Sequence, residues 1–404
     1  MTAVAIAGVG IVSGLGRTCD QVCDALRAHR TGQARVARWS AAGLPTDVAV
    51  QVPGHVPDLA DFPDDRKVAL LMQAADQALV GAPEVASDRR GVFLGTGLSS
   101  VTPRELAEDV YPYVVDGGVD QARACADRSQ NRVAPRRHLP SRGTAALARH
   151  WNATGPGGTS FSACAASAEA IAAGMRAIQR GHADVVLVGG HDAMIHPLGM
   201  LSFQALGALS TTTARPFDVS RDGFILGEGA AVLRLERLDR CATPLALVLG
   251  AGSSLDASGV TAPHPQGRGA EQAMRRALRD AGRSASDVTW VNAHATATPV
   301  GDRAEARAIA RLFGPTVPVS SLKGAFGHGL AAAGALETVA TVLAFNHGFT
   351  PGTVGCQTPD PSLDIQVLMQ PQGRPPGLTI SNSFGFGGQN VSVVLAPVGA
   401  PWSA

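Results

Sequence analysis

The chain has 404 residues, with 34 Lys and Arg against 33 Asp and Glu and a formal net charge of +1. That balance excludes a general nucleic-acid-binding surface, so any basic docking face has to be local. The length suffices for a large core, in two domains or in one large domain with a repeated interior, and 47 glycines with 26 prolines imply many short elements and tight turns.

The six cysteines, Cys19, Cys23, Cys125, Cys164, Cys241 and Cys356, lack paired CxxC spacing. They fit neither a disulfide framework nor a zinc site. No basic-then-apolar leader opens the chain and no apolar run reaches transmembrane length, so a cytoplasmic protein without membrane contact is expected.

In chain order, AVAIAGVGIVSGLG reads as a short apolar strand running into a glycine-rich turn. Gly8 and Gly10 give the start of a dinucleotide fingerprint, but its third glycine and closing acidic residue are missing, which favours a structural turn. Asp64 to Leu79 reads as an amphipathic helix and Gly91 to Gly97 as a buried strand. From Val101 to Trp151 the pattern is broken by Pro103, Pro112, Pro135 and Pro140. Arg132, Arg136, Arg137 and Arg142 crowd that stretch, either as a solvated loop or as a docking face for an acidic partner.

Thr159 to Gly181 (TSFSACAASAEAIAAGMRAIQRG) centres on Cys164, with Ile171, Met175 and Ile178 at helical spacing after it. Cys164 is therefore expected at a helix start, where backbone N–H groups and the helix dipole would lower its pKa; packing is the alternative for a cysteine in an Ala-rich run. Asp184 to Ala193 follows as a continuous apolar strand of the kind buried on both faces of a parallel sheet. Arg215 to Arg237 carries three glycines into a second apolar strand.

The later residues repeat this order. Leu245 to Ser254 is a strand, Ala270 to Ala281 a helix, Val288 to Thr298 a strand ending in histidine, and Gly329 to Phe345 an Ala-rich helix. Closing strands lie around Leu378 to Asn382 and Val391 to Ala396. The two stretches, 1–243 and 244–404, share a strand–helix–strand grammar without a residue-level repeat, which predicts two similar α/β halves packed together. Ligands in such sheets bind beyond the carboxyl ends of the strands. His294 sits at one such end, and Lys323 and His328 lie five apart before a helix. Each histidine alone reads equally as a buried hydrogen-bonded side chain. With Cys164 they make a nucleophile, two hydrogen-bond donors and a fixed positive charge.

SACAAS, RPFD..RDGFILGEGA, NAHATATPVGD, SLKGAFGHGLAAAG and NSFGFGGQN, in that order, resemble the motifs of elongating β-ketoacyl-acyl-carrier-protein synthases of the thiolase superfamily. The resemblance spans roughly Gly155 to Ala396 and, more loosely, Val4 to Gly97. It implies a thiolase-like α/β fold, two mixed-sheet halves forming a five-layered αβαβα core. It also implies decarboxylative condensation of an acyl thioester on Cys164 with malonyl-acyl-carrier-protein, in fatty-acid or polyketide chain elongation. His294 and His328 would stabilise the enolate, and Lys323 would orient the set. Asp302, Glu305 and Glu337 would support it from behind, with solvated surface carboxylates as the alternative. The backbone N–H groups of Cys164 and Phe386 would form an oxyanion hole, with Phe386 and Phe384 on a gating loop. No cofactor would be bound; substrates would arrive on the phosphopantetheine of an acyl carrier protein, docked through Arg66, Lys67, Arg132, Arg136 and Arg137. The assembly would be a homodimer, or a heterodimer with a chain-length subunit.

Three departures limit the resemblance. Gln389 stands where threonine is usual, Ala295 replaces a common glycine after His294, and the loop between Ser210 and Arg215 (STTTAR) is shorter than the family's and lacks the basic residue usual there. A non-catalytic chain-length subunit would usually lack the active cysteine, which Cys164 argues against. A degradative thiolase would need a second cysteine near the C-terminal glycine loop, and Cys356 lies in no such motif. Nothing in the sequence suggests the water path of a cysteine hydrolase.

Overall fold

Apolar runs in this sequence become the strands of one eleven-stranded mixed sheet, and small-residue helices fill the space it encloses. The computed structural model describes residues 3–39, 41, 44, 46–62, 65–98, 111–115, 118–127 and 138–399. The first part of the chain contributes β1 (Val4–Ser13), a hairpin of β2 (Gln33–Arg35) and β3 (Val48–Val50), β4 (Arg90–Thr96), a second hairpin of β5 (Val114–Val115) and β6 (Gly118–Val119), then β7 (Gly157–Ser160), β8 (Val185–Asp192) and β9 (Gly229–Arg237). The remainder contributes β10 (Ala246–Leu255), β11 (Trp290–Asn292), β12 (Pro318–Ser320), β13 (Gln366–Val367), β14 (Thr379–Phe384) and β15 (Gln389–Ala396).

The sheet order is β13-β12-β11-β14-β15-β10-β1-β9-β8-β4-β7. Read outward from its middle, β1-β9-β8-β4-β7 and β10-β15-β14-β11-β12 have the same pattern of directions. In each, the first three strands pair antiparallel and the last three parallel. β1 and β10 join the halves antiparallel, with Val4 opposite Val248 and Ile6 opposite Ala246. The repeated grammar in the sequence is thus a repeated topology, built from different residues.

Two helices, Ala166–Gln179 and Ala333–His347, lie between the half-sheets and touch both. Outside, Arg66–Leu79 and Arg142–His150 cover the first half-sheet, while Arg268–Asp280 packs on the second, with Pro299–Phe313 against it. The layers therefore run αβαβα. The inner helices are buried nearly all round, as the absence of a polar face in AGALETVATVLAF requires. Ile171, Met175 and Ile178 are each at most 1% exposed and join Val339, Val342 and Leu343 in the central core. Burial of each such side chain contributes about 1.5–3 kcal/mol.

Gly8 and Gly10, expected in a turn, lie within β1, and the turn begins only at Gly14. Gly10 lies where any Cβ would strike the backbone of helix Arg66–Leu79 at Ala74, so these glycines bring a strand against a helix. Gly95 of β4 does the same at the start of helix Ala166–Gln179, where a Cβ would collide with the backbone of Ala166 and Ser167. Gly95→Ala should therefore cost about 1–3 kcal/mol by overpacking, read as a lowered Tm, and should displace the turn that carries Cys164. An unchanged Tm would show that the contact relaxes freely.

Candidate active site

Cys164 lies in a single 3-10 turn, Ala163–Ala165, that runs into helix Ala166–Gln179. Ala163 has φ of +47°, a left-handed conformation that costs a non-glycine residue about 1–2 kcal/mol and presents the next side chain at a sharp bend. The other inner helix is entered in the same way, through the turn Leu330–Ala332 with Leu330 at φ of +49°. His328 stands just before that turn. The two bends face each other, and His328 Nε2 lies 3.1 Å from Cys164 Sγ.

The tautomer of His328 follows from its other nitrogen. The Leu330 N–H donates to Nδ1 at 3.3 Å, so Nδ1 is the acceptor and Nε2 carries the proton, directed at the sulfur. The edge of Phe224 meets the His328 ring at 5.0 Å between centroids and 87°, which fixes the ring plane. His294 follows the carboxyl end of β11, with its ring 5.4 Å from that of His328. Glu305 accepts from the backbone N–H groups of His294 at 2.9 Å and Ala295 at 2.7 Å, and from Asn382 Nδ2 at 3.0 Å. Asp302 likewise accepts from Ala297 at 3.0 Å and Phe217 at 2.8 Å. Lys323 Nζ pairs with Glu337 Oε1 at 2.5 Å.

All three carboxylates are buried, so the solvated-surface alternative is excluded. Burial pushes Asp302 up to about 7, opposed by the N–H of Phe217 and by Arg221, and Glu337 up to about 7, opposed by Lys323. It raises Glu305 as well, against the pull of the Ala295 N–H and Asn382.

Cys164 departs from the sequence expectation. Burial pushes its thiol up to about 12, while Lys323 lowers it, Asp192 raises it further, and the N–H groups of Phe386 and of Cys164 itself favour the thiolate. Loss of hydration outweighs the helix-start effect, and the resting group is a thiol. Burial and then Lys323 depress both histidines well below their usual range, so both imidazoles are neutral.

Of the residues expected to form a gate, Phe384 ends β14 and Phe386 sits on the loop between β14 and β15. Gly387 and Gly388 have φ of +91° and +85°, which only glycine adopts without strain, and Gly385 lies against the backbone at Ser162 and Cys164. This delivers the Phe386 N–H to the sulfur and its ring to an apolar cluster of Met194, Ile195, Met200, Phe224 and Leu330 behind Cys164. Phe384 packs beside His294, with centroids 5.8 Å apart, and against the outer core of the second half. A cleft leads from Cys164, His294 and His328 past Thr296 and Thr298 to Asp256 and Thr261, and Thr261 is exposed.

The structure turns two of the expected docking cations, Arg66 and Lys67, toward internal acceptors. Arg66 is bound bidentately to buried Glu228, at 3.0 and 2.6 Å, and Lys67 is 8% exposed with Nζ on Thr96 Oγ1 and Leu98 O. Both are corrected to internal roles. Their charges meet buried acceptors, which a solvated docking residue would not need. Arg132, Arg136 and Arg137 lie outside the described residues. Phe224 and Asn382 were missed as site residues although both lie in quoted motifs, because an apolar ring and an amide carry no signal of whom they will touch. Among the described residues no group of His, Cys, Asp and Glu could hold a metal ion, and no helix is long and apolar enough to cross a membrane.

A thiolase-like α/β fold with a cysteine and two neutral histidines at its seam defines an acyl-transferring condensing enzyme. Family models for the β-ketoacyl synthase N-terminal and C-terminal domains match residues 1–240 and 245–357. The chain is 34% identical over 427 residues to 3-oxoacyl-[acyl-carrier-protein] synthase 2 of Coxiella burnetii, covering 98% of each. Among solved structures it resembles a β-ketoacyl synthase from Burkholderia phymatum STM815, with a TM-score of 0.87, 30% identity and coverage of 98% of this chain and 100% of that one. It also resembles the ishigamide ketosynthase/chain length factor, with a TM-score of 0.86, 29% identity and the same coverage. The chain belongs to the β-ketoacyl synthase family.

Neutral histidines have a pH signature. The unfolded chain takes up protons near pH 6.5 that the buried site refuses, so these groups reduce stability as pH falls through that value. Within the folded enzyme, the rate of any step they assist should show no imidazole titration between about pH 6 and about pH 8. A pH–rate profile of decarboxylation with an inflection near 6.5 would contradict this assignment.

Proposed function

We propose that the enzyme condenses an acyl chain held on Cys164 with malonyl-acyl-carrier-protein, releasing carbon dioxide and giving a β-ketoacyl-acyl-carrier-protein in fatty-acid or polyketide elongation. The observation that carries this reading is the 3.1 Å approach of a protonated, neutral His328 Nε2 to Cys164 Sγ, with the Phe386 N–H on the same sulfur. Residues 1–243 would supply the nucleophile, and residues 244–404 the two histidines, Lys323 and the gate.

In the first step the Cys164 sulfur attacks the thioester carbonyl of an acyl-carrier-protein, and the proton it gives up is passed to the departing carrier sulfur. The carbonyl oxygen takes the negative charge between the Cys164 and Phe386 N–H groups, and the carrier thiol leaves with that proton. The cluster behind Phe386 is apolar and fits the transferred chain. In the second step the bond between the malonyl α-carbon and its carboxylate breaks. Carbon dioxide leaves and the electron pair passes into an enolate whose oxygen accepts from His294 and His328. The α-carbon then attacks the Cys164 thioester, and the cysteine sulfur departs as a thiolate that takes up one proton from solvent to regain its resting thiol. Neutral imidazoles suit this role, since they donate without adding a proton to the carbanion. Lys323, compensated by Glu337, supplies a fixed positive charge to the same seam.

No protein-bound cofactor enters this scheme; the substrates would ride on the phosphopantetheine of a carrier protein, reaching Cys164 by the cleft past Thr296 and Thr298. By likeness to the synthases and to the ketosynthase/chain length factor pair, the working unit would be a homodimer or a heterodimer with a chain-length subunit. The presence of Cys164 with both histidines favours the catalytic role in either assembly.

Cys164→Ala should eliminate acyl-enzyme on intact mass after incubation with a panel of acyl-carrier-proteins, and retained acylation would remove the nucleophile assignment. Cys164→Gln should still decarboxylate malonyl-carrier-protein, whereas His328→Ala should lose about a hundredfold or more in that step, as for loss of an oxyanion donor. Equal decarboxylation by the His328 variant and the parent would sink its assigned role.

A further inference from the structure

Asp192 is a buried carboxylate that the scheme above does not use. It ends β8 and is 0% exposed. Its Oδ1 accepts from the Ala193 N–H at 2.9 Å, and its Oδ2 from the Ala331 N–H at 3.2 Å. Gly97, after β4, has no side chain, and any Cβ there would collide with Oδ2. Burial pushes the Asp192 carboxyl up to about 6, opposed by Lys67 of helix Arg66–Leu79 and by the Ala331 and Ala193 N–H groups; Cys164 lies near enough to be raised by its charge, and His191 precedes it in β8. Fully burying a carboxylate is unfavourable unless its hydrogen bonds do something the fold needs.

The Ala331 bond shows what that is. Ala331 belongs to the turn Leu330–Ala332, entered through left-handed Leu330. The N–H of Leu330 is the group that occupies His328 Nδ1 and leaves the proton on Nε2. A strained non-glycine residue keeps its conformation only when its neighbours are held independently, and Ala331 is the adjoining peptide. If the acceptor at Ala331 is lost, Leu330 can relax and its N–H turns away from the imidazole. Carboxylate, turn, imidazole and sulfur thus form one continuous chain of contacts across β8, the second inner helix start and the first.

We propose that Asp192 is a positioning residue for the condensation. Its carboxylate holds the Leu330–Ala332 turn, through which the chain fixes the tautomer and direction of His328, and its negative charge bears on the Cys164 sulfur at the other end of that chain of contacts. This rests on the assignment of His328 and Cys164 above. The two effects are separable because one depends on geometry and the other on charge. Asn at this position keeps the size but has a single acceptor oxygen and no charge; Glu keeps the charge but cannot keep the same reach beside Gly97.

The test compares the wild-type enzyme, Asp192→Asn and Asp192→Glu, each checked for an intact thermal transition. The pH midpoint of Cys164 alkylation by iodoacetamide, followed at the Cys164 peptide by mass, is measured beside the rate of malonyl-carrier-protein decarboxylation. Asp192→Asn should lower the alkylation midpoint while slowing decarboxylation about three- to tenfold, the scale of one lost hydrogen bond. Asp192→Glu should slow decarboxylation similarly and leave the midpoint in place. A general loosening of the fold would not lower the midpoint in Asn alone. The proposal is overturned if the Asn midpoint stays or rises, if decarboxylation is unchanged in both variants, or if neither variant folds while Lys67→Met, which removes the facing charge, folds and leaves the midpoint unmoved. Absence of decarboxylation in the wild-type enzyme would instead strike the assigned reaction, and the alkylation comparison would still judge Asp192's effect on the thiol.

Discussion

The catalytic seam depends on how closely the two inner helices cross. A Cβ on Gly334 of one helix would lie a tight 3.2 Å from Ala168 of the other and 2.7 Å from Ser383 Oγ, and the Ser167 hydroxyl accepts from the Ala335 N–H at 3.0 Å. This crossing falls within the first turns of both helices. It brings the bend at Ala163 and the bend at Leu330 face to face, and Cys164 and His328 meet as a consequence. Larger residues at these positions would separate the helices and move the two groups beyond hydrogen-bonding reach. The long Ala-rich stretches therefore serve the chemistry through their lack of bulk.

Enclosure between the half-sheets then sets the electrostatics. It removes water from the thiol, both imidazoles and three carboxylates at once, and each group shifts toward its neutral form. A thiolate poised at a helix start would be reactive toward any electrophile that reached it. A buried thiol with a neutral imidazole beside it keeps its reactivity for a carbonyl whose oxygen can enter the N–H pair at Cys164 and Phe386. Lys323 and Glu337 place compensated charge in the same seam, with the ammonium adding positive potential where negative charge develops on substrate.

The supporting carboxylates share one structural task. Glu305 and Asp302 face back from helix Pro299–Phe313 and hold the loop after β11, including Ala297 at φ of +66°, so that His294 is fixed through its own backbone. Glu228 gathers Arg38, Arg66 and the Val52 N–H in the first half. Of the cations expected at a docking face, Arg66 is held there by the same buried carboxylate, and Lys67 is held by Thr96 and Leu98. A charged side chain reveals its sign in the sequence, while its partner can be 162 residues away, as for Arg66 and Glu228.

Much was legible in the sequence because its signals are local. The period of Ile171, Met175 and Ile178 marks a helix, continuous apolar runs mark strands buried on both faces, and ordered motifs around Cys164, His294, Lys323, His328 and Phe386 mark the family and the groups proposed to react. Tertiary structure alone decided the protonation of Cys164, the tautomer of His328, the inward turn of Arg66 and Lys67, and the parts of Phe224, Asn382 and Asp192. Each of these depends on what lies opposite across the seam. Residue type and spacing fix which groups are available, but burial and contact between chain segments far apart fix their charge and direction.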